Sequence, residues 1–513
     1  MLAKLRSMSV VGIDAFEIGI EADISDMMPS FAIVGLPDGA VRESKERVMS
    51  AIKNCGFEFP SRKVTINMAP ADMKKEGSAF DLPIAVGLLI ASCQVDIDKP
   101  DRYLMVGELS LDGSVKRVKG MLSIAICARE LGCEGIIVPR ECAEEAAVAE
   151  GVAIYPVGSL TEAIGFLQGA RVIQPHHTDL KALFSQARHY AIDFKDVKGQ
   201  EHIKRALLVA AAGGHNILMI GPPGSGKTML ARRLPSILPD LTLDEALETT
   251  KIHSVAGLLD PKTPLLATRP FRSPHHTVSD AGLIGGGSYP RPGEVSLAHH
   301  GVLFLDELPE FQKNILENLR QPLEDGRVTI SRAAMSLSYP ARFMLAAALN
   351  PCPCGYYTDP RHKCSCKPEQ IQKYMARISG PLMDRIDIHV EVPALTYEEL
   401  AQRQPGEDSA SMREKVAAAR SVQVQRFKGE KRIFCNAHME SRHVRKLCEL
   451  DGPSQQLLKT AIEKLGLSAR AYDRILKVAR TIADLDAKPA IESSHIAEAI
   501  QYRSLDRKLW LGG

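Results

Sequence analysis

Eight consecutive residues, Gly221, Pro222, Pro223, Gly224, Ser225, Gly226, Lys227 and Thr228, carry the sharpest chemical signal in the chain. Their spacing is GxxxxGK(S/T). Glycines at 224 and 226 can enter backbone conformations closed to other residues, so successive N–H groups turn inward around phosphate oxygens. An ammonium at 227 reaches β- and γ-phosphates, and a hydroxyl at 228 ligates Mg2+. The pattern predicts a site for a nucleoside triphosphate.

Such a loop works only between a strand and a helix. Asn216 to Ile220 is short, mostly apolar and bounded by turn formers, which predicts a buried strand. A helical pattern resumes at Met229, and the positive end of that helix faces the same anion. Downstream, Gly301 to Leu308 is an apolar strand ending in two acids, Asp306 and Glu307. Carboxylates at the C-terminal end of a buried parallel strand stand at the mouth of the nucleotide site. There Asp306 holds Mg2+ through water, and Glu307 orients and polarises the attacking water. A third strand, Arg342 to Leu349, ends at Asn350, whose amide is placed to sense the γ-phosphate.

Four of the eleven cysteines fall within 15 residues, as two C-x-C pairs: Cys352 and Cys354, then Cys364 and Cys366. Four thiolates can close the tetrahedral shell of a structural Zn2+, with His362 as an alternative to one of them; free thiols in a loop are the other reading. A metal here would brace the segment beyond Asn350 without doing chemistry.

The 513 residues are enough for about three domains. Lys and Arg total 64 against 62 Asp and Glu, so net charge reveals no partner and any basic surface is local. The longest apolar run, Leu82 to Cys93, has 12 residues, too few to span a bilayer. Together with the absence of a signal-like opening, this predicts a soluble cytoplasmic protein with no membrane partner.

Residues 1–168 read as an α+β domain. Strand character marks Val10–Asp14, Phe16–Ala22, Phe31–Gly35, Lys63–Met68 and Gly135–Pro139, and helical spacing marks Val41–Lys53, Leu82–Cys93 and Leu122–Leu131. A polar linker with a solvated His176-His177 pair occupies 169–185, the motor core 186–395 with its Cys-rich insertion 351–367, and a helical lid 396–513. In the lid, helices are expected over Tyr397–Arg403, Met412–Phe427 and, behind a Ser cap, Leu467–Arg480. Arg327 to Ser338 alternates like a hairpin turning near Arg332–Ala334.

Three stretches, Arg272–Asp280, Gly282–His300 and Ser379–His389, resemble the YifB/ComM family, a magnesium-chelatase-like branch of the AAA+ ATPases. The fold this resemblance implies is α/β: an AAA+ P-loop core with a helical lid, preceded by an α+β Lon-protease-like (ribosomal S5 domain 2-like) domain. In Lon proteases the catalytic Ser lies in KDGPSAG and the Lys in GGLKEKLLAA. These positions fall on Ala79, with Ser78 beside it, and on Ile124 here, so the domain is expected to be catalytically dead. By the same resemblance Lys227, Asp306/Glu307 and Asn350 are the Walker motifs and sensor 1. Arg385 matches the arginine finger acting on the neighbouring subunit's nucleotide, the alternative being an ion pair with Asp384 or Asp387. Arg470 matches sensor 2, with Arg474 as its fallback. Two insertions would project into the pore of a homo-oligomeric, hexameric ring, with Arg291 on one and Arg332 on the other suited to DNA phosphate, and Arg327 a weaker third; Tyr289 beside Arg291 leaves some ambiguity toward a protein substrate. The family is associated with branch migration in natural transformation, which implies ATP, Mg2+, single-stranded or branched DNA and recombination proteins as its cofactors and partners. A protein- or cofactor-remodelling ATPase of magnesium-chelatase type is the competing reading.

Overall fold

A computed structural model describes residues 2–186, 190–260, 262–287, 290–332, 335–357, 359, 361–395, 406–430, 433–466 and 468–503. The chain divides into two compact units, one of residues 1–188 with 243–267, the other of 189–242 with 268–513.

The first unit is built on a seven-stranded sheet in the order Ser30–Val34, Lys63–Ala69, Asp14–Ser25, Leu2–Val11, Leu104–Met105, Gly135–Pro139, Ala153–Val157. The strand expected over Val10–Asp14 is interrupted: Val10 and Val11 end strand Leu2–Val11, Asp14 begins strand Asp14–Ser25, and Gly12, at φ +68°, turns the chain between them with Ile13. Helix Gly39–Asn54 begins where Asp38 caps Val41 N–H. The apolar run forms helix Asp81–Ala91, buried on every side, which is why it shows no amphipathic stripe. The linker is not wholly solvated, because His176 N–H donates to Ile154 O at 2.8 Å and its ring approaches Glu144 at 3.2 Å.

Residues 243–267, read from sequence as motor core, cluster with the first unit. Helix Leu243–Ala256 packs on helix Met121–Glu130, and the buried Glu145 joins them by accepting from Ser254 Oγ and Leu122 N–H.

The second unit carries a five-stranded parallel sheet, ordered Phe271–Arg272, Val302–Leu305, Met344–Leu349, Ile217–Ile220, Ile388–Glu391. The four residues of Ile217–Ile220 are all buried, as befits a central strand covered on both faces. Helices Ser409–Arg426, Ala469–Leu485 and Ser493–Gln501 share one hydrophobic core with the sheet, in which Met412, Val416, Ile475, Ile482 and Ile496 join Ile217, Met219, Phe304 and Ile388. Ser468 caps the second of these helices through Ala471 N–H. The helix expected over Tyr397–Arg403 falls in 396–405, outside the described residues, as do Tyr289 and the hairpin turn residues Ala333 and Ala334. No helix among the described residues is long and apolar enough to cross a membrane.

Candidate nucleotide site

Three neighbouring parallel strands deliver their C-terminal ends to one place: Ile220 runs into the glycine loop, Leu305 into Asp306 and Glu307, and Leu349 into Asn350. Gly224 and Gly226 adopt φ of +75° and +90°, the left-handed geometry the loop was expected to need. A Cβ on Gly221 would lie 2.1 Å from Val392 O, so only glycine fits where the loop passes the end strand.

Helix Lys227–Ile237 starts directly after the loop. Lys227 is buried, and its Nζ donates to Gly221 O at 2.7 Å, Pro222 O at 2.9 Å and Asn350 Oδ1 at 3.2 Å. Burial pulls its ammonium down to about 8, against the pull of the Asp306 and Glu307 carboxylates. Thr228 Oγ1 donates to Asp306 Oδ2 at 2.5 Å. This hydroxyl and carboxylate, side by side at the end of the loop, are hard oxygen donors of the kind Mg2+ takes, together with phosphate oxygens. Glu307 is exposed, at φ +53°, and Pro222, Pro223 and Ser225 complete the loop.

Several relationships were beyond the reach of the sequence. Asn216 is the hub beneath the site: its Nδ2 donates to Arg385 O at 2.9 Å, its Oδ1 accepts from Leu345 N–H at 2.9 Å, and its backbone N–H donates to Asp387 Oδ2 at 3.2 Å. Arg385 pairs with neither Asp384 nor Asp387. Its guanidinium is buried, donating to Glu324 and to Pro381 O, because the helical turn Gly380–Met383 folds it back beside the chain preceding the hairpin. Arg470 stays largely exposed, 3.7 Å from Asp384. Its fallback Arg474 is committed to Asp387. Burial raises the Asp387 carboxyl, yet Arg474 and His215 outweigh it and hold the group below the usual carboxylate range.

The chain is 44% identical over 510 residues to "Uncharacterized protein YifB" of Escherichia coli (strain K12), covering 99% of this chain and 98% of that one. It is 43% identical over 512 residues to "Competence protein ComM" of Haemophilus influenzae, again covering 99% and 98%. The chain belongs to the YifB/ComM family. Family models described as "Magnesium chelatase, subunit ChlI", "Subunit ChlI of Mg-chelatase" and "Magnesium chelatase, subunit ChlI C-terminal" match residues 193–400, 20–142 and 406–503. Lon protease 2 of Bacillus subtilis is 34% identical over 157 residues, 28% of this chain and 27% of that protein. Like the rest of this magnesium-chelatase-like AAA+ group, the YifB/ComM chain is an ATPase that works with ATP and Mg2+.

In this YifB/ComM chain the cysteines converge. The four Sγ atoms of Cys352, Cys354, Cys364 and Cys366 all lie within 4.8 Å of one another, with separations of 3.3, 3.6 and 3.7 Å among the first three. Zn–S bonds of about 2.3 Å give a tetrahedron with edges of about 3.8 Å, so the cluster can hold zinc. His362 stands outside this group of four sulfurs, with its Nδ1 3.0 Å from Asp359 Oδ2. The segment reaches the nucleotide loop, since a Cβ on Gly355 would lie 2.5 Å from Pro223 Cδ.

The two insertions form short hairpins, Gly285–Gly286 with Arg291–Pro292 and Arg327–Arg332 with Met335–Pro340. They touch: Tyr339 Oη donates to Pro290 O at 2.7 Å, and a Cβ on Gly286 would meet the Arg332 guanidinium at 3.2 Å. Arg291, Arg327 and Arg332 are all exposed.

In the first unit, Ile124 is buried in the helix core and Ala79 contributes a backbone carbonyl to Gly107 N–H at 2.8 Å. Ser78 donates to Glu108, and the buried Lys75, lowered by its burial, donates to Pro70 O.

Proposed function

We propose that the chain is a cytoplasmic DNA motor that assembles as a homo-oligomeric ring, hexameric by family resemblance, and uses ATP hydrolysis to drive branch migration while DNA is integrated in natural transformation or recombination. The observation carrying this reading is the contact between the two hairpins, which brings the exposed Arg332 beside Gly286, the strand partner of the exposed Arg291. Paired arginines suit a phosphate backbone, whatever the base sequence. The relative named for competence supports the biological setting.

In the reaction, the loop from Gly221 to Thr228 cradles the phosphates and Lys227 turns from its carbonyl partners to the β- and γ-oxygens. Thr228 and Asp306 are the residues that would hold Mg2+, which when bound neutralises developing phosphate charge. Glu307 orients the water, and Asn350, released from Lys227, fixes the γ-phosphate. Arg385 acts on the neighbouring subunit after leaving Glu324, and Arg470 approaches from the lid helix. Cys352, Cys354, Cys364 and Cys366 would hold Zn2+, which when bound would brace the loop beside Pro223. Residues 1–168 serve as a scaffold without peptidase chemistry, followed by the linker 169–185, the core 186–395, whose residues 243–267 group with the first unit, and the lid 396–513.

The test is ATP-dependent movement of a labelled three-strand junction. Movement that stops in Arg291→Ala/Arg332→Ala supports the reading; a junction left in place under conditions where ATP is hydrolysed would refute it. A second reading, remodelling of a protein or cofactor, draws on the magnesium-chelatase description of all three matching models. It predicts turnover that responds to a protein partner and ignores DNA.

A further inference from the structure

The backbone of Arg385 is fixed on both sides, whereas its guanidinium depends on an acid that stands largely in solvent. The Arg385 N–H donates to Leu382 O at 2.9 Å, and its C=O accepts from Asn216 Nδ2 at 2.9 Å. The buried guanidinium is only partly satisfied. One terminal nitrogen donates to Pro381 O at 2.5 Å and the other to Glu324, while Nε has no hydrogen-bond partner among the described residues. The Glu324 side chain is 59% exposed against 9% for Arg385. Solvent on the acid's side weakens such a pair, so it yields to a small displacement.

Glu324 sits at the foot of the hairpin bearing Arg332. It belongs to the helical turn Arg320–Asp325, and strand Arg327–Arg332 starts just past Gly326. Gly326 is bonded in both directions: its N–H donates to Pro322 O at 3.0 Å within the turn, and its C=O accepts from Ala341 N–H at 2.9 Å where the hairpin closes. The joint is also packed, because a Cβ on Gly326 would lie 2.8 Å from Arg342 Cγ. The register then runs unbroken from Arg327 with Pro340 to Arg332 with Met335. A push on Arg332 therefore tilts hairpin, Gly326 and Glu324 together, while Asn216 keeps the Arg385 backbone in place.

We propose that Glu324 is a positioning residue that ties Arg385 to the hairpin of its own subunit and surrenders it when nucleic acid loads that hairpin. The tilt draws the carboxylate off the guanidinium, which keeps only Pro381 O. The guanidinium then turns outward, toward the γ-phosphate oxygens of the neighbouring subunit's nucleotide. DNA held by one subunit thereby sets the rate of hydrolysis at the next. The inference rests on the reading of Arg385 as a residue acting across a ring and of the hairpins as DNA contacts.

The experiment is steady-state hydrolysis by the full chain, with and without a poly(dT) oligonucleotide, for Glu324→Ala, Glu324→Gln, Arg385→Ala and Glu324→Ala/Arg385→Ala. Loss of one solvent-screened pair predicts a DNA-free kcat about 2- to 5-fold higher in Glu324→Ala, with KM for ATP within about twofold and the DNA stimulation factor reduced to match. Gln keeps an acceptor without the charge and is expected between Ala and the unsubstituted chain. The double variant is expected to be no faster than Arg385→Ala, because Glu324 acts through that side chain alone. A DNA-free kcat that is unchanged or lower in Glu324→Ala overturns the tether. A double variant faster than Arg385→Ala overturns the action through Arg385. A raised kcat with an undiminished stimulation factor overturns the link to the hairpin. Failure of the underlying reading looks different: Arg385→Ala then hydrolyses ATP at the normal rate, or the unsubstituted chain ignores DNA, whatever Glu324 does.

Discussion

Lys227 and Asn350 meet across the ends of two neighbouring parallel strands, Nζ to Oδ1 at 3.2 Å. In the proposed reaction, cation and amide so joined act on the same γ-phosphate. Asn350→Ala is expected to lower kcat by about 10- to 100-fold, the size of losing one preorganised polar contact to the transition state. ATP affinity should change by less than about fivefold, because the loop and Lys227 remain. Separate measurement of nucleotide binding and turnover checks this.

The lowered Lys227 ammonium gives ATP binding a pH signature. Its pKa of about 8 lies below the 10.5 of a free lysine, so above about pH 8 the unliganded side chain sheds its proton. Triphosphate needs the charged form, and binding must then take up a proton. Affinity should be flat below that pH and weaken by up to about tenfold per unit above it. Titration with a fluorescent ATP analogue between about pH 7 and 9.5 measures the slope.

Zinc content and turnover should fall together. Purified chain is expected to carry about one zinc, lost in Cys352→Ser or Cys364→Ser and on treatment with a strong chelator. Gly355 packs against Pro223, so loss of the metal loosens the nucleotide loop and lowers kcat by about threefold or more. Full turnover in a demetallated chain would show that the cluster does not brace the loop.

Asp387→Asn tests the buried network under the sheet. Breaking a largely buried pair leaves Arg474 and His215 facing a neutral amide, and the expected loss is about 2–4 kcal/mol in urea unfolding. The sign of the pH dependence follows from the depressed folded pKa. Its stabilisation is complete above the unfolded value of 3.8 and is lost as pH falls below it. The Asn variant should lack that acid-side slope.

What the sequence discloses here is set by how local each signal is. The nucleotide loop, the acidic strand end and Asn350 were legible because strand, turn and functional residue are contiguous, and the parallel sheet aligns them without further information. The Glu324 partner of Arg385 lies 61 residues away and the Asp387 partner of Arg474 lies 87 away, so only the fold brings them together. Helix Leu243–Ala256 shows the same limit, since its own residues do not specify the helix Met121–Glu130 on which it packs. At Val10–Asp14 an apolar run concealed a turn that Gly12 alone marks. The cysteine spacing announced a cluster, while its contact with Pro223 depended on where the loop returns.

In the proposed function, DNA on the hairpins drives hydrolysis at the site built by Lys227, Asp306 and Glu307. The most direct measurement is steady-state ATP hydrolysis with and without single-stranded and forked DNA, across a range of salt, with Glu307→Gln as the blank. Stimulation by DNA is expected to decline with salt, disappear in Glu307→Gln and weaken in Arg291→Ala/Arg332→Ala. Hydrolysis that proceeds at the same rate with and without DNA at every salt concentration would contradict it.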